Sequence, residues 1–125
     1  LRLVEVGEGR VVFAGTATEK FYNGWGVAHG GFAAALLDTA LTCAINTTSY
    51  RGRSFTSAEL KINFVRPVTR EGGEVRCEGR VIHAGKRTAT AEGRVVGLDG
   101  KLYAHGTTTC IVIEEKSGRS EKPVG

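Results

Sequence analysis

Asn23-Gly24-Trp25-Gly26-Val27-Ala28-His29-Gly30-Gly31-Phe32-Ala33-Ala34-Ala35-Leu36-Leu37-Asp38 reads as a glycine-rich loop running straight into an apolar helix with one carboxylate two turns inside. Between Lys20 and Arg51 the only formally charged side chain is Asp38. A helix with a wet face normally carries several Lys, Glu or Arg on that face, so this one is expected to be buried. At about 100° per residue, Asp38 falls between an apolar strip of Ala34, Leu41 and Ile45 and an uncharged polar strip of Thr39, Thr42 and Asn46. An ionised carboxylate is costly there unless it is paired, hydrogen-bonded or wetted by a pocket. The plainer alternative is that Asp38 sits on an exposed polar stripe.

The loop supplies complementary chemistry. The first turn of a helix leaves backbone N–H groups unpaired and carries partial positive charge, and Gly30-Gly31 puts no side chain in the way of a ligand. Either these glycines only permit a tight turn into a crowded helix, or they polarise a ligand's carbonyl oxygen in a site that Asp38 shares.

Working outward, residues 2 to 18 alternate in patches around Gly7 and Gly9, which predicts two short strands at a sheet edge. The helix is expected from about Gly30 to Thr47. Beyond Phe55, Leu60, Ile62 and Phe64 alternate with Glu59, Lys61 and Asn63 until Pro67 closes the segment, and further strands are predicted at about 73–84, 87–98 and 101–113. Short glycine-bearing turns at 71–73, 84–86 and 98–101 join consecutive antiparallel strands. The result is an α+β domain over 1–113, one long central helix wrapped by a five- or six-stranded antiparallel sheet. Residues 114–125, Glu-Glu-Lys-Ser-Gly-Arg-Ser-Glu-Lys-Pro-Val-Gly, form a charged tail too poor in apolar area to order. Open sheet edges invite self-association.

Composition bounds the function. A chain of 125 residues with 41% hydrophobic and 24% charged residues is one globular domain. No segment approaches the roughly 20 apolar residues that cross a bilayer, so a cytoplasmic protein without a membrane partner is expected. Cys43, Cys77 and Cys110 are an odd number without close pairing, pointing to free thiols. His29, His83 and His105 lack ligand spacing, which argues against a metal. A net charge of +4 suits a polyanion. Nucleic acid is disfavoured because there is no Lys/Arg run and the basic residues alternate with Glu along predicted strands.

Asn23, His29-Gly30-Gly31 and Asp38 at this spacing resemble the active-site signature of hotdog-fold acyl-CoA thioesterases of the phenylacetate-pathway type. The resemblance continues through Ser57-Ala-Glu-Leu-Lys-Ile-Asn-Phe-Val-Arg66-Pro67, Gly85-Lys86-Arg87 and Ala104-His-Gly106-Thr107, covering about Phe13 to Val112. It implies a hotdog fold, sites at the boundary of a homodimer that is often paired again into a tetramer, and an acyl-CoA substrate with no separate cofactor. By the same resemblance Asp38 is base or nucleophile, the Gly30 N–H receives the oxyanion, and Asn23 places the thioester or water. Ser57 would orient Asp38 or the water, and His29 would fix the loop. Gly31, Arg66, Gly85, Lys86 and Arg87 are implied near the coenzyme. Phe21, Tyr22, Trp25 and Phe32 are candidates for an aryl pocket or for core. A hotdog that binds acyl-CoA without cleaving it is the competing class.

Overall fold

The computed structural model describes residues 1–23 and 26–113; Trp25 and the tail from 114 lie outside the described residues. Six strands and one long helix follow one another as β1 (Arg2–Gly7), β2 (Arg10–Gly15), α1 (Gly30–Asn46), β3 (Phe55–Phe64), β4 (Val75–Ala84), β5 (Thr88–Gly97) and β6 (Leu102–Val112). Short 3₁₀ turns occupy Glu19–Phe21 and Arg70–Gly72. All strand pairs are antiparallel, in the order β1-β2-β4-β5-β6-β3. This is the hotdog arrangement, with six strands. The N-terminal hairpin puts β1 at one edge and β2 inside, while β3 forms the other edge.

The helix starts where the chain turns in from extended His29 (φ −64°, ψ 151°) and stops at Thr47, its C-cap. The Thr47 and Thr48 hydroxyls donate back to the Ala44 and Ile45 carbonyls at 2.7 and 2.5 Å. The same two carbonyls also accept the Thr47 and Thr48 N–H groups at 3.1 and 3.0 Å, so backbone and hydroxyl together close the last turn. One face of α1, carrying Leu36, Leu37, Ala40, Leu41, Ala44 and Ile45, is buried against the sheet. Each such leucine or isoleucine is worth about 1.5–3 kcal/mol relative to exposure.

The sheet reaches the helix closely because glycines line up under it. Gly79, Gly93 and Gly106 are register partners across β4, β5 and β6. A Cβ at Gly79 would lie 2.5 Å from the Ala40 carbonyl oxygen and one at Gly93 2.9 Å from Leu41 Cδ2, both on the helix, while one at Gly106 would lie 2.3 Å from the Lys61 carbonyl oxygen of the neighbouring β3. No side chain fits at these positions, so the row of bare backbone lets the strands curl round α1.

Burial of the whole helix is not what the structure shows. Gly31, Ala35, Asp38 and Asn46 are exposed, and Ala34, Thr39, Thr42 and Cys43 are half-buried. The uncharged composition is therefore not explained by the chain's own sheet, which covers only the Leu/Ile side. No helix among the described residues is long and apolar enough to cross a membrane.

Candidate active site

Asp38 stands on the open face of α1, so within a single chain it lies on the polar side of the helix. It has one side-chain partner in the hydrogen-bond network: Ser57 Oγ donates to Asp38 Oδ1 at 3.3 Å. Ser57 Oγ also lies 3.9 Å from Cys110 Sγ. Burial pushes the Cys110 thiol up, the Ser57 and Thr108 hydroxyls pull against that shift, and the Asp38 carboxylate adds to it. Burial likewise raises Cys43 and takes Cys77 up to about 12. All three cysteines are free, and burial disfavours the thiolate form of each.

A β-bulge brings Ser57 to the acid. Leu60 and Ile62 are half-buried toward the core, and strict alternation would then turn Ser57 the other way. The register of β3 against β6 shifts between Ser57 and Glu59, and this extra residue reverses the phase. Phe55 consequently packs on the core, its ring edge-on to Tyr50 at 5.6 Å, and Ser57 faces Asp38. The sequence carries the signal, because inward Phe55 and inward Leu60 are an odd number of residues apart.

At the helix start, the His29 side chain makes no capping bond. The loop is instead closed by backbone: His29 N–H donates to the Phe21 carbonyl at 2.6 Å and Asn23 N–H to that of Val27 at 3.0 Å. The Asn23 side-chain oxygen accepts from the Val27 N–H at 3.2 Å. Asn23 therefore shapes the loop, and backbone rather than imidazole fixes it. His29, Gly30 and Gly31 are exposed, leaving the first-turn donors open to a ligand. Beside Gly30 lies a hollow of about 510 Å³, walled by Ala28, His29, Ala33, Phe64, Arg66 and Tyr103.

Asp38 does not line that hollow. Eight residues of helix separate it from Gly30, about 12 Å along the axis. The coenzyme candidates divide in the same way. Arg66 is at the Gly30 end, whereas Gly85-Lys86-Arg87 lies at the far end of α1. There Tyr50 Oη donates to the Gly85 carbonyl at 2.7 Å and Arg53 to that of Lys86 at 3.1 Å.

A second hollow of about 390 Å³, between Thr42, Cys43, Asn46 and Phe55-Thr56-Ser57, adjoins the Ser57–Asp38 pair; sequence reading did not mark it. A third, of about 470 Å³ among Glu78, Arg80, Glu92, Arg94 and His105 on the outer sheet face, includes none of the candidate residues. The aromatic expectation resolves toward packing. Phe32 is core and Phe21 rests on it at 5.6 Å, while Tyr22 lies under the Arg70 guanidinium at 4.3 Å. No group of three His, Cys, Asp or Glu among the described residues is placed to hold a metal.

Comparison with known proteins gives the same picture. The thioesterase superfamily profile matches residues 26–104. A Saccharolobus solfataricus protein named as a candidate esterase is 30% identical over 118 residues, 94% of this chain and 75% of its own. A Bacillus halodurans protein solved with CoA superposes with TM-score 0.80 at 30% identity, covering 92% of this chain and 75% of that one. The Escherichia coli PaaI protein, from the phenylacetic acid degradation operon, gives TM-score 0.79 at 27% identity, with 91% and 80% covered.

Proposed function

This chain belongs to the thioesterase superfamily, a family of thioester hydrolases, and we propose that it cleaves the thioester of an aryl- or medium-chain acyl-CoA, phenylacetyl-CoA being favoured, to free acid and CoA. The observation that carries the reading is an acid on a charge-free helix, held by a serine hydroxyl, on the same rod as an uncapped glycine start. The CoA-bound relative and the PaaI relative support the substrate class.

One thioester carbonyl is a few ångströms across, so an acid and an oxyanion donor about 12 Å apart on one helix cannot both reach it. Two copies related by a two-fold axis, helices antiparallel, bring Gly30 of one against Asp38 of the other. The same operation carries the Arg66 end of one copy toward the Gly85-Lys86-Arg87 end of the next, collecting basic groups for the coenzyme phosphates. It also covers the open stripe of α1, which accounts for the missing charges. The chain thus works as a homodimer, or a dimer of dimers.

In that site the Gly30 N–H receives the oxyanion, a donor typically worth about 10²–10³ in rate. Gly31 keeps the approach clear. Asp38, oriented by Ser57, either takes a proton from the attacking water or attacks the acyl carbon itself; the carbon–sulfur bond then breaks and the thiolate leaves to be protonated, and in the second case a water then cleaves the acyl–Asp38 anhydride to the free acid and the carboxylate. The His29 backbone N–H and the Asn23 side chain hold the loop that presents Gly30. No separate cofactor is required, since coenzyme A arrives as part of the substrate, and nucleic acid has no part in the scheme.

The test is thiol release from phenylacetyl-CoA and hexanoyl-CoA by the purified chain, followed with a thiol-trapping dye. Asp38→Asn should abolish release while CoA binding and fold persist; an equally active variant would refute the assignment. Tight acyl-CoA binding without release by the unaltered chain would make it a binding module.

A further inference from the structure

Phe64 is a large apolar residue whose exposure neither the fold nor the proposed chemistry accounts for. It ends β3 on the inward phase set by Leu60 and Ile62, yet it is 59% exposed. Its ring leans over the helix N-terminus: a Cβ built on Gly30 would meet Phe64 Cε1 and Cζ at 3.0 Å. The same ring forms a wall of the 510 Å³ hollow beside Gly30. A hollow of ligand size with a mostly apolar lining is the usual form of a binding site, and Phe64 stands at this one.

The lining identifies the kind of group that fits. Ala28, Ala33, Val65, Pro67 and Val68 are hydrocarbon, and His29, Arg66 and Tyr103 bring the polar side chains. Of the backbone donors, Ala28 N–H is committed to the Val68 carbonyl at 2.8 Å, and those of Val65 and Arg66 to the Tyr103 carbonyl at 2.9 and 3.1 Å. A pantetheine arm, with two amides and a hydroxyl to satisfy, would meet mostly hydrocarbon there. A hydrocarbon acyl group would lose nothing.

Building on the thioesterase reading, we propose that the hollow beside Gly30 takes the acyl chain and that Phe64 is its specificity-determining wall. An acyl group lodged there has its carbonyl at the hollow's mouth, next to the Gly30 N–H, and packs its flank on the Phe64 ring.

The experiment reads binding, so it does not depend on turnover. Affinities of CoA and of the uncleavable thioethers S-hexyl-CoA and S-(2-phenylethyl)-CoA are measured by calorimetry for the unaltered chain, Phe64→Ala and Phe64→Leu. Phe64→Ala should weaken both thioethers about tenfold and leave CoA unchanged, with Phe64→Leu in between. Loss of the ring's contacts with the fold or with a second copy would instead weaken CoA and thioethers together, and that result overturns the proposal, as does no change in any of the three. Should Phe64→Ala not fold, Phe64→Leu decides alone, a selective loss of at least twofold supporting and an equal loss refuting. Thiol release is recorded separately. Selective loss of thioether binding in a chain that releases no thiol would leave the acyl wall standing and the hydrolase reading fallen.

Discussion

The Ser57 hydroxyl reaches Asp38 across the gap between an edge strand and the helix, at 3.3 Å, because a bulge two residues later turns it inward. That is longer than the usual 2.7–2.8 Å of a hydroxyl bond, so the interaction orients more than it stabilises. Ser57→Ala is therefore expected to lower kcat about tenfold with KM little changed, whereas Asp38→Asn should lower it by several orders of magnitude. Steady-state kinetics on one acyl-CoA separates the two.

Gly30 invites a substitution that removes a single atom's function. His29 has φ −64° and ψ 151°, the conformation a following proline demands, and the first position of a helix tolerates proline well. Gly30→Pro should keep the fold, as judged by circular dichroism, and cost about 10²–10³ in kcat through loss of the N–H donor. The exposed Phe64 ring has room to give way to the added carbons. Undiminished kcat in a folded variant would remove Gly30 from the chemistry.

If each site draws Asp38 from one copy and Gly30 from another, two inactive variants should rescue each other. Asp38→Asn mixed one to one with Gly30→Pro, unfolded and refolded together, should recover about a quarter of the original activity, since half the dimers are mixed and each mixed dimer has one intact site. A site contained in one chain would recover nothing.

Acid stability should depend on the outer face of the sheet. Glu78 is held below its ordinary value near 4.5, chiefly by the hydrogen bond from Arg10, with Arg80 assisting. A carboxylate whose folded pKa is depressed contributes stability fully present above the unfolded value and lost as pH falls through the folded one. Melting temperature should thus drop below about pH 4.5, and Glu78→Gln should flatten that limb of the curve. Parallel curves would show that the pair contributes nothing.

Much of this was legible in the sequence because the signals were local. The run from Phe21 to Tyr50, charged only at Asp38, marked the helix, alternation marked the strands, and His29-Gly30-Gly31 marked its start. What alternation alone missed was the bulge in β3, although Phe55 and Leu60 betray the change of phase. The absence of charge was read as burial by the sheet. Composition reports only that a surface avoids water, and here the sheet shields just half of the rod. The aromatics Phe21, Tyr22 and Phe32 are near the loop in sequence but spend their rings on each other and on Arg70. Which side of a loop an aromatic faces is decided by tertiary packing that neighbouring residues do not encode.

The three aligned glycines beneath α1 have a reach beyond the place where they sit. Ala40 lies against the bare backbone of Gly79, and Leu37 and Leu41 lie against that of Gly93, so the fit of helix to sheet depends on side chains that are missing. Asp38 is carried on the same helix. The direction in which it leaves the rod is therefore set from the opposite flank, by methyl groups the chain never acquired.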